Sequence, residues 1–407
     1  MRILYFHQHF STPMGSTGTR SFEMAKRLLH HGHQVTMVCG SYDGGVTGIS
    51  ASFNKGIRRG NVEGIDVVEL ELPYSNKDNF LQRTLTFLRF AKRCIRIALF
   101  SEYDVLFATS TPLTAGIPGI FARWLRRKKF VFEVRDLWPE IPKAMGVISN
   151  PWVLGAMSAL EWISYKSAHK LIGLSPGMVD GIIRRGIEPE NVRMISNGCD
   201  LDLFAPIQQD SVYTDHEQPP QLTAIFSGAH GLANGLDAVI DAAACLKKRQ
   251  STGIKILLVG RGSQKEALIK RVSEEQLEEI VEFHDSISKS KMPDIFAEVD
   301  LGLQILANIP AFYHGTSPNK YFDYISAGLP VLINYPGWLA DQVREYGCGY
   351  PIHPNDPEAF ASALEQARHD KSTSLLKDMK YNARQLAESQ FNRVDLSDQW
   401  VQWTTQW

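Results

Sequence analysis

The sequence predicts an α/β protein of two domains, each a parallel β-sheet with helices on both faces. Three observations support this prediction. Short apolar, β-branched runs alternate with helical patterns, and this alternation occurs twice along the chain. A polar stretch at 206–220, which ends in two prolines, separates the two series as linkers often do. At about 100–200 residues per domain, a chain of 407 residues accommodates two domains.

The predicted strands divide at this linker. The first series comprises residues 2–7, 34–39, 62–70, 104–109, 129–134, 170–174 and 192–195, with a helix at 21–31 after the first strand. The second series comprises residues 222–226, 255–259, 280–284, 301–305 and 330–333. We therefore assign residues 1–205 to the first domain and 206–390 to the second. Residues 391–407 carry three tryptophans that need a surface to pack on, so we expect a C-terminal helix that crosses back to the first domain.

Composition narrows the class of protein. The hydrophobic fraction of 44% is ordinary for a globular enzyme, and no run approaches the roughly 18 apolar residues of a membrane helix. The apolar stretch near Met1 is too short for a signal peptide and fits a buried first strand. The five cysteines are scattered and form no CxxC, which indicates neither a disulfide framework nor a zinc site. A reducing cytoplasm fits this pattern.

Charge is distributed unevenly although the net charge is only −1. Residues 1–205 contain 25 Lys and Arg against 18 Asp and Glu, whereas residues 206–407 contain 18 against 26. This asymmetry favours an anionic partner for the first domain, and chance with solvated helix faces is the alternative. Membranes and nucleic acids are both anionic. No interleaving of aromatic and basic residues favours a nucleic acid, so we expect an anionic membrane surface.

Glycine-rich turns follow three of the predicted strands, at 13–20, 228–237 and 259–263. Glycine lets a backbone approach a ligand closely, and helix N-termini offer free N–H groups to an anion. Open α/β sheets bind ligands where strands end. An ordinary tight turn is the alternative for the first segment. The candidate nucleotide contacts in these turns are Gly15, Ser16, Gly18, Gly228, His230, Gly231 and Arg261.

The most informative segment is 317–331, which reads Ser-Pro-Asn-Lys-Tyr-Phe-Asp-Tyr-Ile-Ser-Ala-Gly-Leu-Pro-Val. Its pattern predicts a helix with Pro318 in its first turn that ends at Gly328, and Asn319, Lys320 and Asp323 are candidate nucleotide contacts. Lys320 lies in the first turn, where the helix dipole disfavours a cation, so an anionic donor diphosphate would stabilise it. Asp323 lies one turn further and is suited to a ribose diol. A surface Lys–Asp pair at i,i+3 is the alternative.

These segments, taken with 135–140 (Arg-Asp-Leu-Trp-Pro-Glu) and 195–200 (Ile-Ser-Asn-Gly-Cys-Asp), resemble the family-four retaining glycosyltransferases over nearly the whole chain. The resemblance is to the bacterial O-antigen and exopolysaccharide branch in particular. It implies the GT-B architecture of two facing Rossmann-like domains. It also implies a nucleotide-sugar donor bound mainly by the second domain and a polyprenyl-diphosphate-linked sugar acceptor at the inner face of the membrane.

The family motifs carry over unevenly. Asp323 matches the second glutamate of the family signature, which binds ribose, but the first glutamate would fall at Gly315. The usual basic residue of the second domain's first glycine turn is absent, and Lys320 is our candidate replacement. Arg135, followed by Asp136, stands where many members have a histidine, and we assign both to the acceptor side. Arg135, Asp136 and Lys320 are therefore the candidate catalytic residues.

Other patterns suit less specific roles. Asp200 and Asp202 form a DxD triplet, a metal–diphosphate signature of the other large glycosyltransferase fold, but a lone DxD is common. His7 and His9 have no carboxylate cluster nearby, which favours packing or acceptor contact over metal binding. We therefore expect no metal and no cofactor.

The segment 81–99 predicts an amphipathic helix with a basic arc. The arc contains Arg89, Lys92, Arg93 and Arg96. Such a helix can lie on anionic lipid, or it can pack on the sheet and leave its basic face in water.

The sequence thus favours a retaining transferase that moves a hexosyl or N-acetylhexosaminyl group, with UDP-N-acetylhexosamine as the expected donor and lipopolysaccharide O-antigen as the expected product. It would act at the cytoplasmic face of the membrane. Domain closure would exclude water from the reaction. A nucleotide-sugar epimerase on the same architecture and a non-catalytic nucleotide-sugar-binding module are the alternatives.

Overall fold

A computed structural model of the chain describes residues 1–43, 45–75, 78–205 and 220–407. Apart from Pro220, the predicted linker lies outside the described residues. The chain forms two compact units. The first contains Met1–Asn197, His314–Ser317 and Val394–Trp407, and the second contains Gly198–Tyr313 and Pro318–Arg393. Residues 198–205, which the sequence analysis assigned to the first domain, are thus part of the second unit.

The first unit is built on an eight-stranded sheet in the order β3-β4-β2-β1-β5-β6-β7-β8. Its strands are β1 Arg2–Phe6, β2 Gln34–Gly40, β3 Ile57–Val62, β4 Ile65–Leu70, β5 Val105–Thr109, β6 Lys129–Val134, β7 Lys170–Gly173 and β8 Val192–Met194. All neighbours pair in parallel except β3, which pairs antiparallel with β4. The sequence predicted a single strand at 62–70. The structure has a hairpin there, because Glu63 and Gly64 both adopt positive φ, as a tight two-residue turn requires.

Helices cover this sheet on both faces. They are α1 Arg20–His30, α2 Phe80–Phe100, α3 Ile117–Arg126, α4 Glu140–Ala144, α5 Pro151–Ser167 and α6 Pro176–Arg184. The core consists of the side chains of the central strands, such as Tyr5, Phe107 and Phe132, which are fully buried. Because strands buried on both faces read as continuous apolar runs, β1, β5 and β6 were visible in the sequence.

The second unit contains a six-stranded, fully parallel sheet in the order β11-β10-β9-β12-β13-β14. Its strands are β9 Leu222–Ser227, β10 Ile254–Val259, β11 Val281–His284, β12 Leu301–Gln304, β13 Val331–Ile333 and β14 Gly349–Pro351. The last strand was not predicted, because it is short and ends in proline. The helices that follow β9 are α7 Asp237–Lys248, α8 Lys265–Glu274, α9 Met292–Ala297, α10 Pro310–Gly315, α11 Asn319–Ser326, α12 Trp338–Tyr346, α13 Pro357–Lys371 and α14 Leu375–Gln390.

The chain ends in helix α15, Arg393–Thr405, which packs on the first unit. Trp400 is fully buried, and its ring lies 4.6 Å from Phe107 and 5.9 Å from Tyr5. The indole N–H of Trp403 donates to the carbonyl of Leu171 at 3.1 Å. Burying a tryptophan removes a large apolar area from water, so these contacts fix the helix to the sheet.

The structure therefore confirms the predicted class, two parallel-sheet α/β domains. Over the described ranges, no helix is both long and apolar enough to cross a bilayer.

Candidate functional site

In the first unit, polar side chains gather where three adjacent strands end. His7 follows β1, Ser110 and Thr111 follow β5, and Arg135 and Asp136 follow β6. The backbone N–H of Arg135 donates to Ser110 Oγ at 2.8 Å, and its guanidinium lies 3.3 Å from His7 Nε2. The hydroxyl of Thr111 donates to Asp136 Oδ2 at 2.9 Å. Parallel pairing thus brings two of the candidate catalytic residues together with a histidine.

Electrostatics distinguish the groups of this cluster. Burial lowers the pKa of His7 well below its ordinary value, and the positive charge of Arg135 lowers it further. A neutral His7 accepts from Arg135 through Nε2, which leaves a buried Nδ1 without a hydrogen-bond partner among the described residues. Burial also raises the pKa of Asp136, against the opposing effects of Thr111 and Arg135. In the described part of the chain, Arg135 forms no salt bridge, so its charge is available to a ligand.

Thr111, the partner of Asp136, has a φ of 85°. A β-branched residue rarely adopts this left-handed conformation, and such strain persists only where the surroundings impose it. The strained residue lies at the carboxyl edge of the sheet, where functional residues concentrate.

The glycine-rich turn at 13–20 leads from β1 into α1. The N–H of Gly15 donates to the carbonyl of Thr12 at 3.1 Å, and Gly15 is buried. Ser16 is exposed and Gly18 is half-buried. The turn ends at Arg20, whose side chain is fully buried.

Arg20 makes an ion pair that the sequence did not reveal. Its Nε and Nη2 donate to Glu133 Oε2 at 3.0 and 2.9 Å. The same guanidinium donates to the carbonyls of Ile195 and Ser196 at 2.9 and 2.6 Å. Burial alone would raise the pKa of Glu133, but Arg20 outweighs it and holds that pKa below its ordinary value. Arg20 therefore anchors the start of α1 to the end of the sheet.

In the second unit, two of the predicted glycine turns pack on each other. The N–H of His230 donates to the carbonyl of Arg261 at 3.0 Å, and Gly228 donates to Val259 at 2.9 Å. Gly228 and Gly260 have φ of 152° and 153°, and a Cβ on Gly260 would lie 1.9 Å from the Gly228 carbonyl oxygen. Both positions therefore require glycine. Gly231 does not, since a Cβ there would meet nothing within 4 Å.

The imidazole of His230 lies beneath this turn, fully buried between the rings of Phe226 and Phe283. Burial, with the nearby charges of Lys265 and Lys320, lowers its pKa to about 4. The ring is therefore neutral at physiological pH, so it adds no charge to the turn. Neither ring nitrogen has a hydrogen-bond partner among the described residues.

Lys320 lies against the same turn. Its ammonium donates to Asn234 Oδ1 at 2.9 Å and lies 4.6 Å from the centre of the Phe226 ring. A Cβ on Gly228 would lie 3.1 Å from Lys320 Cε. Burial lowers the pKa of Lys320 to about 8. Within the described ranges Lys320 has no carboxylate partner, so a lysine without a counter-ion lies beside a glycine turn that suits an anion.

Asp323 does not pair with Lys320. Its carboxylate lies 3.0 Å from the ammonium of Lys289, which also contacts Asp200. Arg393 Nη2 lies 3.1 Å from the same Asp200. The first aspartate of the DxD triplet thus belongs to a network of ion pairs within the second unit.

The remaining candidates lie near this site. Arg261 donates to Ser286 Oγ at 2.7 Å, beyond the end of β11. Asn319 begins α11 and is half-buried. In the described part of the chain, no group of three or more His, Cys, Asp or Glu side chains could hold a metal ion.

The structure brings Arg135 and Asp136 together in the first unit, and Lys320 together with the turns of Gly228 and Arg261 in the second. Sequence reasoning missed Asn234, Lys289 and Glu133. No local pattern distinguishes Lys289 from the surface lysines near it, because its partners come from distant segments. A signal for Glu133 did exist, since a glutamate within an apolar strand needs a buried cation.

Two protein-family profiles match the sequence. Residues 15–198 match the profile of a glycosyl transferase 4-like domain, and residues 215–386 match that of glycosyl transferases group 1. No curated protein matches the sequence.

Solved structures share the fold at low identity. The sucrose-phosphate synthase of Thermosynechococcus elongatus superposes with a TM-score of 0.74 at 16% identity, over 98% of this chain and 97% of that one. WaaG, a glycosyltransferase involved in lipopolysaccharide biosynthesis, gives 0.70 at 16% over the whole of both chains. Anabaena HepE in complex with UDP and glucose gives 0.68 at 17%, over 99% and 98%. At these identities the likeness is one of fold.

Proposed function

The chain is a glycosyltransferase of the GT-B fold, and from this premise we propose a specific reaction. A hexosyl or N-acetylhexosaminyl group moves from a UDP-sugar to a lipid-diphosphate-linked saccharide. The anomeric configuration is retained, no divalent metal is required, and the product belongs to a surface polysaccharide such as O-antigen.

The observation that carries this proposal is the position of Lys320. Its ammonium has no carboxylate partner among the described residues and lies beside the glycine turn of Gly228 and Gly231. Negative charge grows on a diphosphate leaving group as the glycosidic bond breaks. A fixed ammonium and backbone N–H groups stabilise that charge without having to reorganise. Lys320 therefore supplies the positive charge that a metal ion supplies at other diphosphate-binding sites.

UDP is the proposed nucleotide because HepE, whose fold this chain shares, is described in complex with UDP and with UDP-glucose. Asp323 would accept hydrogen bonds from the ribose hydroxyls, and Arg261 would bind a phosphate or the base. An N-acetylhexosamine remains our proposal for the sugar.

The acceptor would bind to the first unit at the cluster of His7, Arg135 and Asp136. Its groups suit a sugar with a nearby anion, since Arg135 and the free Nδ1 of His7 donate and Asp136 accepts. A lipid diphosphate adjoining the accepting sugar has that chemistry.

An anionic membrane is the proposed partner of the first unit, because large apolar side chains are exposed on three adjacent helices. They are Leu81, Leu85, Leu88 and Phe100 on α2, Phe121, Trp124 and Leu125 on α3, and Trp152, Trp162 and Ile163 on α5. We call this surface the apolar helix face. Exposed Arg89, Lys92 and Arg96 on α2 adjoin it. The enzyme would then work at the cytoplasmic face of the membrane.

In the structure, three of the four residues of the basic arc predicted on α2 are exposed. Arg93 is part-buried and donates to the carbonyl of Gly56 at 2.8 Å, so it does not extend from the surface with the other three. The exposed leucines of α2 lie with the basic residues, a combination that suits a lipid interface better than water alone.

A turnover assay tests the proposed reaction. UDP-, GDP- and dTDP-sugars are incubated with a lipid-diphosphate-linked sugar, and product is identified by mass spectrometry and by the NMR coupling of its anomeric proton. We expect transfer from a UDP-sugar with retention. Donor conversion without acceptor would instead identify an epimerase, and UDP binding without any turnover would identify a binding module.

A further inference from the structure

Lys289 is a buried lysine to which the proposed reaction assigns no role. It lies in a short 3-10 helix, Lys289–Lys291, and only 11% of its side chain is exposed. Its ammonium is shared between Asp200 and Asp323. A buried lysine is costly unless it is paired, so its two carboxylate partners explain how it is tolerated.

The two carboxylates depend on Lys289 to different degrees. Asp200 has a second cation, because Arg393 contacts both of its oxygens. Asp323 contacts no other cation among the described residues, and 17% of its side chain is exposed. Burial raises the pKa of Asp323, and the charge of Lys289 opposes that rise. Removing Lys289 would therefore leave Asp200 paired and Asp323 alone.

We propose that Lys289 is the positioning residue for the ribose-binding carboxylate, holding Asp323 charged and oriented so that it accepts hydrogen bonds from the vicinal hydroxyls of a nucleotide. The inference rests on the proposed function, in which Asp323 binds ribose. If Lys289 were needed only for folding, its ion pair with Asp200 would be sufficient. Asp200, however, is already neutralised by Arg393. The contact that depends on Lys289 alone is the one to Asp323.

Calorimetric titration with UDP and with 2′,3′-dideoxy-UDP tests this inference. The second nucleotide lacks the hydroxyls that Asp323 would bind. We expect the wild type to prefer UDP by roughly 10-fold or more, as for a hydrogen bond to a charged group. Lys289→Met should lose most of this preference and keep the wild-type affinity for 2′,3′-dideoxy-UDP. Lys291→Met is the matched control, since Lys291 is exposed on the same short helix, and it should behave as wild type.

A double-mutant cycle separates positioning from a general loss of structure. If Lys289 acts through Asp323, the variant Lys289→Met/Asp323→Asn binds UDP no more weakly than Asp323→Asn does. Lys289→Arg, which keeps the charge, should retain part of the preference for UDP even if Lys289→Met is unstable. Additive losses in the cycle, or full preference for UDP in Lys289→Met, would overturn the inference. The inference would also be overturned if the wild type bound UDP and 2′,3′-dideoxy-UDP equally well. A wild type that binds no nucleoside diphosphate would instead overturn the proposed function itself.

Discussion

Among single residues, the buried and half-buried cations of the two candidate sites and their surroundings are of two kinds. Arg20 and Lys289 are paired with carboxylates, as the cost of burying a charge demands. Lys320 and Arg135 have no carboxylate partner in the described part of the chain. A cation without a carboxylate partner can attract an anion, so the second kind is where we propose that ligands bind.

The lowered pKa of Lys320 gives a pH dependence. With a pKa of about 8, the amine loses its proton between pH 7 and 9 when no nucleotide is bound. Only the protonated form attracts a diphosphate, so UDP affinity should fall as pH rises, by about 10-fold from pH 7 to pH 9. Calorimetry over this range measures the effect.

Two variants sharpen this test. Lys320→Met should bind UDP weakly at every pH, whereas Lys270→Met, at an exposed lysine of the same unit, should follow the wild type. Equal affinity of the wild type at pH 7 and pH 9 would show that Lys320 does not contact the diphosphate.

Asp136 should affect turnover and not nucleotide binding. Asp136→Asn replaces the carboxylate that accepts from Thr111 with a neutral amide, which weakens any hydrogen bond that the acceptor makes there. We expect kcat to fall roughly 10- to 100-fold, the loss of one charged hydrogen bond, with little change in UDP affinity. Asp180→Asn, at an exposed position on α6, is the control. If UDP affinity alone changes, Asp136 belongs to the donor site.

At the scale of elements, the helices of the first unit differ in what they bury. α5 is apolar on nearly all sides, and its exposed residues include Trp152, Ala156, Ala159 and Ile163 at helical spacing. A helix that is apolar all round belongs in a core or against a membrane. Because one side of α5 packs on the unit, its other side is exposed and forms part of the surface that we propose binds a membrane.

The apolar helix face should bind anionic vesicles. Replacing Arg89, Lys92 and Arg96 with Gln should weaken cosedimentation with phosphatidylglycerol vesicles, at about 1 kcal/mol per basic residue. Replacing Trp152, Trp162 and Ile163 with Ser should weaken it independently. The control replaces Lys270, Arg344 and Lys377, three exposed basic residues of the second unit, and changes the net charge equally. Equal sedimentation of all variants would contradict a membrane role for this face.

Glu133 joins three elements, because its carboxylate accepts hydrogen bonds from Arg20 at the start of α1, Thr109 of β5 and Trp400 of α15. Glu133→Gln leaves the guanidinium of Arg20 buried without its counter-ion, which should cost about 3–5 kcal/mol of stability. Urea unfolding followed by tryptophan fluorescence measures the loss. Glu140→Gln, which breaks an exposed ion pair with Arg184, should cost less than about 1 kcal/mol. Equal midpoints for the two variants would mean that the buried pair contributes little.

At the scale of the whole molecule, the two units have separate cores and separate sets of candidate residues. The residues proposed for the acceptor lie in the first unit, and those proposed for the donor lie in the second, apart from the predicted contacts Gly15, Ser16 and Gly18 of the first. The excess of basic residues in 1–205 matches the proposed partner of the first unit, a membrane bearing anionic lipid.

The complete enzyme should need no divalent metal. Since Lys320 and backbone N–H groups neutralise the leaving group in our proposal, turnover in excess EDTA should equal that in Mg²⁺ or Mn²⁺. Lys320→Met should lower turnover on the order of 100-fold, as removal of one preorganised donor does elsewhere. If EDTA stops the reaction, a metal restores it and Lys320→Met remains active, then a metal holds the diphosphate.

The α/β class, the two series of strands and the segments in which the candidate residues lie could all be read from the sequence. This was possible because buried parallel strands read as apolar runs and because glycine turns mark where those strands end. The resemblance added the reaction class. These features are local, so each is visible within a few consecutive residues.

Which charges pair with each other depends on the three-dimensional fold. Asp323 follows Lys320 by three residues in the sequence, but in the fold Asp323 pairs with Lys289 from a distant segment. Lys320 instead donates a hydrogen bond to Asn234. The exposed side of α5 and the antiparallel strand β3 could not be predicted from the sequence either, because both depend on how the elements pack against each other. Charge pairing and burial arise from contacts between segments that are far apart in the chain. A local sequence pattern does not show which of these segments come into contact.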